Sequence, residues 1–348
     1  MRAVLRWLAI AAGGLFAATA LAAGLLFHAF DAPGPMAGPS IIVVPKGLGV
    51  SAIADLMARN GVIRRAYVLE AGVRLTGNAT ALRAGEYEIP GNASTRDVME
   101  ILRSGKTLVR KLTAPEGTTS AQVLNLVTVA YGLDGPVGPI PDEGSLLPDT
   151  YHYSWGDPRH VIVARMGNAM SVAVANLWRE RAPGLPIGSP HDAVILASIV
   201  EKETGKPDER ARIAGVFYNR LRRGMPLQSD PTVAYGRALA ESLPDRVLGR
   251  ALTRRDLETP GPYNTYTQRG LPPGPICNPG REALAAVLHP EATEALYFVA
   301  DGSGGHAFAR TLAEHNRNVA RWRRLRDAAR DAPQSEAPAR PAPETEAP

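Results

Sequence analysis

The residue with the strongest chemical claim is Glu201, the first charged side chain after an apolar run. Residues 193–200 read AVILASIV, and Ser198 is the only polar residue among them. A segment that is apolar on every side predicts a buried helix, and Gly205 is placed to end it. The negative end of the helix dipole and the adjacent apolar surface both favour a protonated carboxyl group. A protonated glutamate suits general acid catalysis, so Glu201 is the candidate proton donor.

The neighbourhood of Glu201 leaves alternatives open. Glu201 could pair with Lys202, with Lys206 or with an arginine of the next helix, and Glu203, two positions on, has a competing claim to the chemistry. Asp230 is the obvious second carboxylate, but an Asp before a Pro is also typical of a helix N-cap. The residues therefore offer one well-placed acid without a convincing partner.

Metal and nucleophile chemistry have little support in the sequence. His289, His306 and His315 lack the i, i+4 spacing of a helical zinc pair. Cys277 is the only cysteine, so an intramolecular disulfide is excluded, and its position between prolines favours packing over catalysis. No glycine-rich nucleotide-binding loop precedes a predicted helix. We therefore expect no metal ion and no cofactor.

The composition is that of a globular protein, and the length is enough for about two domains. The 348 residues hold 45% hydrophobic and 21% charged side chains, which excludes a polytopic membrane protein and a chain disordered throughout. Only 6% of the residues are aromatic, so the stacking surfaces of a nucleic-acid-binding protein are not expected. The net charge of +5 is spread along the chain and is weak evidence for a polyanionic partner.

The N-terminal region predicts a membrane anchor. Residues 7–30 carry no charged side chain and are long enough to cross a hydrocarbon core of about 30 Å. Arg2 and Arg6 precede this stretch, which keeps residues 1–6 in the cytoplasm and places the rest of the chain outside. A cleaved signal peptide is the rival interpretation, but its apolar core is about 7–15 residues, shorter than this one.

The exported part divides into a small region and a larger one. Residues 31–40 are rich in Pro and Gly and form a linker. Residues 41–107 predict a strand, two helices, a second strand and a third helix. Residues 108–330 predict a larger mixed region that contains the buried helix, so the fold class is α+β. Residues 331–348 are Pro, Ala and Glu with almost no large apolar side chain, and we expect them to be disordered.

Local signals set several limits of these elements. Ser94 opens a helix that Gly105 closes. Ser51 is the expected cap of an earlier helix. Residues 296–300 and 306–309 flank a Gly/Ser turn, and this arrangement predicts a hairpin.

Several motifs follow one another in a recognisable order along the chain. They are ASIVEKET from Ala197, VFYNRL from Val216, LQSDPTV from Leu227, LETP from Leu257, YNTY from Tyr263, GLPPGPI from Gly270, YFVAD from Tyr297 and the GH pair at Gly305. Together with the N-terminal anchor they resemble the YceG-like family, the membrane-bound endolytic murein transglycosylases. The resemblance covers residues 41–322.

The resemblance implies a catalytic acid and the walls of a glycan cleft. The first Glu of the family's E-K-E-T motif, here Glu201, is implied as the catalytic acid. The implied substrate-binding residues are Gln228, Ser229, Asp230, Tyr235, Asn264, Thr265, Tyr266 and His306. Family members usually have an aromatic residue where Leu146 or Leu147 stands, and this departure would remove one stacking contact to a sugar.

The implied activity is that of a lyase that cleaves peptidoglycan without water. Glu201 would protonate the β-1,4 bond between N-acetylmuramic acid (MurNAc) and N-acetylglucosamine (GlcNAc) within a nascent strand. It would then accept the proton of the MurNAc C6 hydroxyl, which closes on C1 and leaves a 1,6-anhydroMurNAc end. A single acid suffices for this reaction, whereas a hydrolase generally needs two carboxyl groups.

The resemblance also implies an organisation and a location. Residues 41–107 correspond to a LysM-like peptidoglycan-binding subdomain and residues 108–330 to the catalytic domain. The body would lie on the periplasmic side of the bacterial inner membrane and terminate strand elongation beside peptidoglycan synthases, with no nucleic-acid partner. The alternatives are a hydrolytic muramidase that uses Asp230 as its second carboxylate, and a non-catalytic, membrane-anchored glycan-binding scaffold.

Overall fold

The computed structural model describes residues 2–77 and 82–331, which form two compact units. Unit 1 holds the described residues up to 114 together with 124–139 and 150–164, and unit 2 holds 115–123, 140–149 and the described residues from 165 onward. From position 332 the tail that the composition predicts to be disordered lies outside the described residues. The division into a region of residues 41–107 and a region of residues 108–330 stays a prediction.

Two helices in the described part of the chain are long and apolar enough to cross a membrane. The first, α1 (Arg2–Asp31), contains the predicted span, and the apolar side chains along most of its length are exposed. The second is α6 (Arg159–Arg179), whose Met166 and Met170 are buried in the protein. A buried face is typical of a core helix, so α1 is the candidate anchor.

The rest of unit 1 is a small mixed α/β core. Its elements are β1 (Ser40–Val44), α2 (Val50–Arg59), α3 (Ala66–Leu75), β2 (Gly85–Ile89) and α4 (Thr95–Ser104). The two strands pair antiparallel, with Ile42 opposite Tyr87. Side chains from all five elements meet in one apolar cluster, which also contains Phe30 from the end of α1. The predicted order of strand, two helices, strand and helix is confirmed.

The helix limits in unit 1 follow mostly, but not always, from the local signals. Ser94 and Asp97 form a reciprocal capping box at the start of α4, and Gly105 ends the helix with φ 65°, as predicted. The cap predicted at Ser51 is wrong, because α2 begins at Val50 after Gly49. The Ser51 hydroxyl instead donates a hydrogen bond to Glu70 at 3.0 Å.

Two further strands belong to unit 1, and one helix lies between them in the chain. Strands β3 (Arg110–Thr113) and β4 (Thr150–Tyr153) pair antiparallel. Helix α5 spans Ser120–Val129.

Unit 2 is built around α7 (Pro190–Glu203), which is buried along residues 193–200 as the apolar run predicts. Ser189 and Asp192 form its capping box with Pro190 in the first turn, so the helix begins before the Asp192 expected from the sequence. The remaining elements are a 3₁₀ turn (Pro207–Glu209), α8 (Arg210–Arg222), α9 (Asp230–Ala240), α10 (Arg254–Glu258), α11 (Arg281–Leu288), β5 (Tyr297–Ala300), β6 (His306–Ala309) and α12 (Leu312–Asp331).

The packing of unit 2 brings the end of α7 close to several distant segments. Helices α8, α9 and α11 all contact α7. Strands β5 and β6 form the predicted hairpin, with Phe298 opposite Phe308. The mixture of helices with separate two-stranded antiparallel sheets in the described residues confirms the α+β class.

Candidate active site

Glu201 and Glu203 both lie in the last turn of α7 and point in different directions. Two positions correspond to about 200° around the axis of an α-helix. The capping box fixes the start of α7, and its buried residues fix its orientation in unit 2. The two carboxyl groups therefore meet different surroundings.

Glu201 is held in a buried ion pair. Its Oε1 accepts a hydrogen bond from Nη2 of Arg210 at 3.1 Å, and its Oε2 accepts one from the backbone N–H of Gly280 at 2.8 Å. The side chains of Glu201 and Arg210 are only 5% and 7% exposed. Arg210 also contacts Glu282 at 2.5 Å and Glu116 at 3.4 Å. Pairing with an arginine of the next helix, one of the alternatives open from the sequence, is thus what the structure shows.

Glu203, in contrast, lines an open cleft of ≈ 480 Å³. Burial raises the pKa of its carboxyl above the ordinary value, and the nearby Asp230 raises it further. The Ser229 hydroxyl donates a hydrogen bond to Oε1 of Glu203 at 2.5 Å and acts in the opposite direction, because it stabilises the charged form. The net result is a carboxyl group that holds its proton to higher pH than an exposed glutamate and borders a space that a ligand can enter.

Four of the predicted substrate-binding residues line the same cleft: Gln228, Asp230, Tyr266 and His306. The Tyr266 hydroxyl donates a hydrogen bond to Oδ1 of Asp230 at 2.6 Å. Asp230 also borders a second cavity, of ≈ 390 Å³. Gln228 has φ 52°, a left-handed conformation that non-glycine residues rarely adopt and that is more frequent at functional sites.

The N-cap interpretation of Asp230 is wrong. Helix α9 begins at Asp230 itself, Ser229 is the residue that precedes the helix, and Pro231 lies in the first turn. The Asp230 carboxylate is therefore available to the cleft, with Tyr266 as its hydrogen-bond donor.

The other four predicted substrate-binding residues are buried behind the cleft wall or elsewhere in unit 2. The Ser229 backbone N–H donates to Oγ1 of Thr265 at 2.9 Å. Nδ2 of Asn264 donates to the backbone oxygens of Leu257 and Thr259 at 3.0 and 2.7 Å. These contacts shape the loops that carry the cleft residues. Ser229, Asn264 and Thr265 do not line the cleft. The Ser229 hydroxyl nevertheless contacts a cleft residue, because it donates a hydrogen bond to Glu203.

Tyr235 is the fourth of these residues and lines the second cavity instead of the cleft. Its hydroxyl donates a hydrogen bond to Oε2 of Glu143 at 3.0 Å, and Arg246 pairs with the same carboxylate at 3.2 Å. Burial raises the pKa of Tyr235, so the phenol stays neutral. Tyr235 therefore belongs to a buried polar cluster.

His306 is fixed from two sides by one carboxylate. Its Nδ1 lies 2.7 Å from Oε2 of Glu209, and its backbone N–H donates to Oε1 of Glu209 at 2.9 Å. Although burial opposes it, these hydrogen bonds lower the pKa of Glu209, which is therefore ionised near neutral pH. The Phe298 ring contacts the imidazole edge-on at 5.4 Å between centroids. The ring orientation of His306 is thus determined before any ligand enters.

Arg220 is a cleft residue that the sequence reasoning missed. Its Nε donates to the backbone oxygen of Leu296 at 2.7 Å and its Nη1 to that of Leu227 at 2.7 Å. These hydrogen bonds join the loop before α9 to the segment before β5. The guanidinium carbon of Arg220 lies 5.3 Å from the centroid of the Tyr297 ring. The sequence did hold a signal for this role, because Arg220 lies on the otherwise apolar face of Val216–Leu221. A charged side chain buried on such a face needs hydrogen-bond partners from the surrounding protein.

Two further expectations concern buried residues. Leu146 and Leu147 are 2% and 0% exposed, and neither lines the cleft. Cys277 is buried, and its pKa is raised by that burial, as expected of a packing residue. The described residues contain no cluster of His, Cys, Asp and Glu that could hold a metal ion.

Comparison with known proteins identifies the family. A model of the YceG-like family matches residues 42–321. The endolytic murein transglycosylase of Bacillus subtilis is 31% identical over 307 residues, which cover 79% of this chain and 82% of that protein. The one of Streptococcus pneumoniae D39 is 28% identical over 321 residues, covering 80% of this chain and 57% of that protein. A solved YceG-like protein from Listeria monocytogenes is 30% identical, with a TM-score of 0.48 over 80% of this chain and 98% of that one. The chain belongs to the YceG-like family.

Proposed function

We propose that this protein is an endolytic lytic transglycosylase of peptidoglycan and that Glu203 is its proton donor. The observation that carries the proposal is the position of Glu203, a buried carboxyl of raised pKa that lines a cleft. The relatives from Bacillus and Streptococcus, named endolytic murein transglycosylases, support the reaction class. Glu201, the acid expected from the sequence, is less suited because both of its oxygens are engaged by Arg210 and Gly280.

The reaction needs one group that first gives and then takes a proton. Glu203 donates its proton to the oxygen between MurNAc and GlcNAc, and the bond from C1 to that oxygen breaks. The Glu203 carboxylate then accepts the proton of the MurNAc C6 hydroxyl, whose oxygen bonds to C1. The products are a GlcNAc end with a free hydroxyl and a 1,6-anhydroMurNAc end, and Glu203 is protonated again. General acid–base catalysis of this kind contributes about 10²–10⁴-fold.

Asp230 has a supporting role in this proposal. Its carboxylate lines the cleft near Glu203 and accepts a hydrogen bond from Tyr266. A negative charge in this position stabilises the positive charge that develops at C1 as the glycosidic bond breaks. It also keeps Glu203 protonated, because a neighbouring carboxylate raises the pKa of that group.

The remaining cleft residues are assigned to substrate binding. Gln228 and Tyr266 offer polar groups for sugar hydroxyls and acetamides, and Tyr297 offers an aromatic ring. His306, held by Glu209, presents its other ring edge, because Nε2 forms no hydrogen bond within the described part of the chain. We assign the four buried residues described above to the support of these side chains.

We further assign a place and an organisation to the enzyme. Helix α1 anchors the chain in the bacterial inner membrane, and the body lies on the extracytoplasmic side beside nascent strands. The small core of unit 1 serves as a LysM-like module that binds glycan. Peptidoglycan synthases are its protein partners, and cleavage terminates strand elongation. The exposed apolar surface of α1 and the arginines in its first turns, Arg2 and Arg6, support this orientation.

The second candidate is a hydrolytic muramidase, and the presence of Asp230 in the same cleft as Glu203 is the observation that favours it. The two activities are distinguished by the ends that the wild-type protein makes. Purified glycan strands are digested and the new ends are analysed by mass spectrometry. We expect 1,6-anhydroMurNAc ends. Reducing MurNAc ends would show a muramidase, and intact strands would show a non-catalytic scaffold.

A further inference from the structure

A cavity of ≈ 750 Å³ lies in unit 1 between the last turns of α1 and the start of α3. One side of it is apolar and is formed by Ala22, Leu25 and Leu26 of α1. The other side is formed by residues near the start of α3, among them Arg64 and Arg65. The cavity therefore joins an apolar wall to a cationic one.

The cationic wall has no acidic partner among the residues that the structure describes. Arg64 and Arg65 are exposed and pair with no carboxylate of the described residues, and the cavity lining in this part of the chain includes neither Asp nor Glu. Asp31, the acid at the end of α1, forms a salt bridge with Arg96 at 2.6 Å and does not pair with these arginines. Nη1 of Arg65 donates to the hydroxyl of Tyr67 at 2.9 Å, and Tyr67 is 55% exposed. The positive end of the α3 dipole lies beside the two arginines.

The depth of the cavity follows from the length of α1. At 1.5 Å per residue, the twenty residues from Trp7 to Leu26 span about 30 Å, the thickness of a hydrocarbon core. Leu25 and Leu26 then lie at the level of the acyl chains, and the part of the cavity beyond them lies at the level of the phosphates. Arginine and tyrosine side chains are typical of this interface.

We propose that this cavity binds the head group of an anionic phospholipid, with the phosphate between Arg64 and Arg65 and an acyl chain along Leu25 and Leu26. The inference rests on the membrane span proposed above. A phosphate accepts hydrogen bonds from guanidinium groups, and an apolar wall that continues from the anchor suits an acyl chain better than a soluble anion. The bound lipid fixes the small core of unit 1 against the membrane surface.

The test uses the full chain, freed of lipid in detergent micelles. Native mass spectrometry measures the binding of added phosphatidylglycerol and phosphatidylcholine. We expect phosphatidylglycerol to bind more tightly. The double variant Arg64→Gln/Arg65→Gln should lose roughly 25-fold in affinity for it, since each arginine near an anionic lipid contributes about a factor of five. The matched control, Arg59→Gln/Arg74→Gln, removes two other exposed arginines of unit 1 and should bind like the wild type.

Equal affinity for the two lipids, or equal losses in the two double variants, would overturn the proposal. Displacement of phosphatidylglycerol by soluble glycerol phosphate would also overturn it, because that result assigns the site to a free phosphate ester. Flotation of all variants with phosphatidylcholine vesicles tests the anchor separately. Variants that float but show no lipid preference leave the membrane span intact and refute only the lipid site.

Discussion

At the scale of single residues, the site depends on the hydrogen-bond partners and the burial of two glutamates in one helix turn. Glu201 accepts hydrogen bonds from the Arg210 guanidinium and from the backbone N–H of Gly280, so both of its oxygens are engaged inside the protein. Glu203 meets a hydroxyl and a cleft, and its burial favours the protonated form. The first arrangement suits a structural ion pair, and the second suits the proton donor that we propose.

The first prediction concerns Glu201→Gln. Arg210 would keep only the two more exposed carboxylates of Glu116 and Glu282, so a buried charge would lose its best-buried partner. We expect a loss of about 1–3 kcal/mol in the free energy of unfolding, with most of the activity retained. Thermal unfolding and glycan cleavage measure the two effects. An unchanged melting temperature with lost activity would return the catalytic role to Glu201.

The second prediction concerns the pH dependence of cleavage. The proton donor must be protonated, so activity falls as the pH rises through the raised pKa of Glu203. Ser229 lowers that pKa through its hydrogen bond to the charged form. Ser229→Ala should therefore move the descending limb of the pH–activity curve to higher pH. Ser171→Ala, an exposed serine of α6, is the control, and coincident limbs in the two variants would contradict the assignment.

At the scale of elements, local signals predicted helix limits well where the determinants are close in sequence. The start of α4 at Ser94 and its end at Gly105 depend on contacts within one turn. The buried run of α7 could also be predicted, because a helix that is apolar on every side must be buried in a globular protein. The order of elements in the small core followed from these signals.

The assignment of the acid could not be predicted in the same way. Glu201 accepts hydrogen bonds from Arg210, 9 residues away, and from the backbone N–H of Gly280, 79 residues away. Glu203 depends on Ser229, 26 residues away. The sequence spacing places both acids at the end of α7, but only the packing of α8, α11 and the loop before α9 decides which one borders the cleft. The N-cap interpretation of Asp230 failed for a related reason, since its carboxylate contacts the hydroxyl of Tyr266, 36 residues away.

The third prediction concerns the contact between α1 and α3. A Cβ atom at Gly72 would lie 2.3 Å from Cε2 of Phe30, so Gly72→Ala must displace that ring. We expect a destabilisation of about 1–3 kcal/mol and faster hydrogen exchange in the last turn of α1. Gly24→Ala, where nothing lies within 4 Å, is the matched control. Equal exchange in the two variants would show that the two helices do not pack as described.

At the scale of the whole molecule, the proposed anchor also contributes to the fold of unit 1. Phe30 is 6% exposed and belongs to the apolar cluster of that unit, and Leu26 and Ala29 pack against it. The end of α1 is therefore part of the folded body, and the boundary between anchor and body lies within the helix.

The fourth prediction follows from this boundary. A chain that begins at residue 40 loses Phe30, whereas one that begins at residue 22 keeps the last turns of α1. We expect the shorter chain to be less stable in unit 1 by about 3–5 kcal/mol, the cost of removing a buried aromatic side chain. Hydrogen exchange of β2 and α3 in detergent measures this difference. Identical protection in the two chains would show that Phe30 does not support the core.

The fifth prediction tests the central claim most directly, through the 1,6-anhydroMurNAc ends that Glu203→Gln releases from isolated peptidoglycan. The amide keeps the shape of the side chain but cannot donate or accept the proton, so we expect at least about a 10²-fold loss relative to the wild type. Its melting temperature should be unchanged or slightly higher, since the amide cannot ionise and so removes the cost of burying a carboxylate. Near-normal release of 1,6-anhydroMurNAc ends by a folded Glu203→Gln variant would contradict the account.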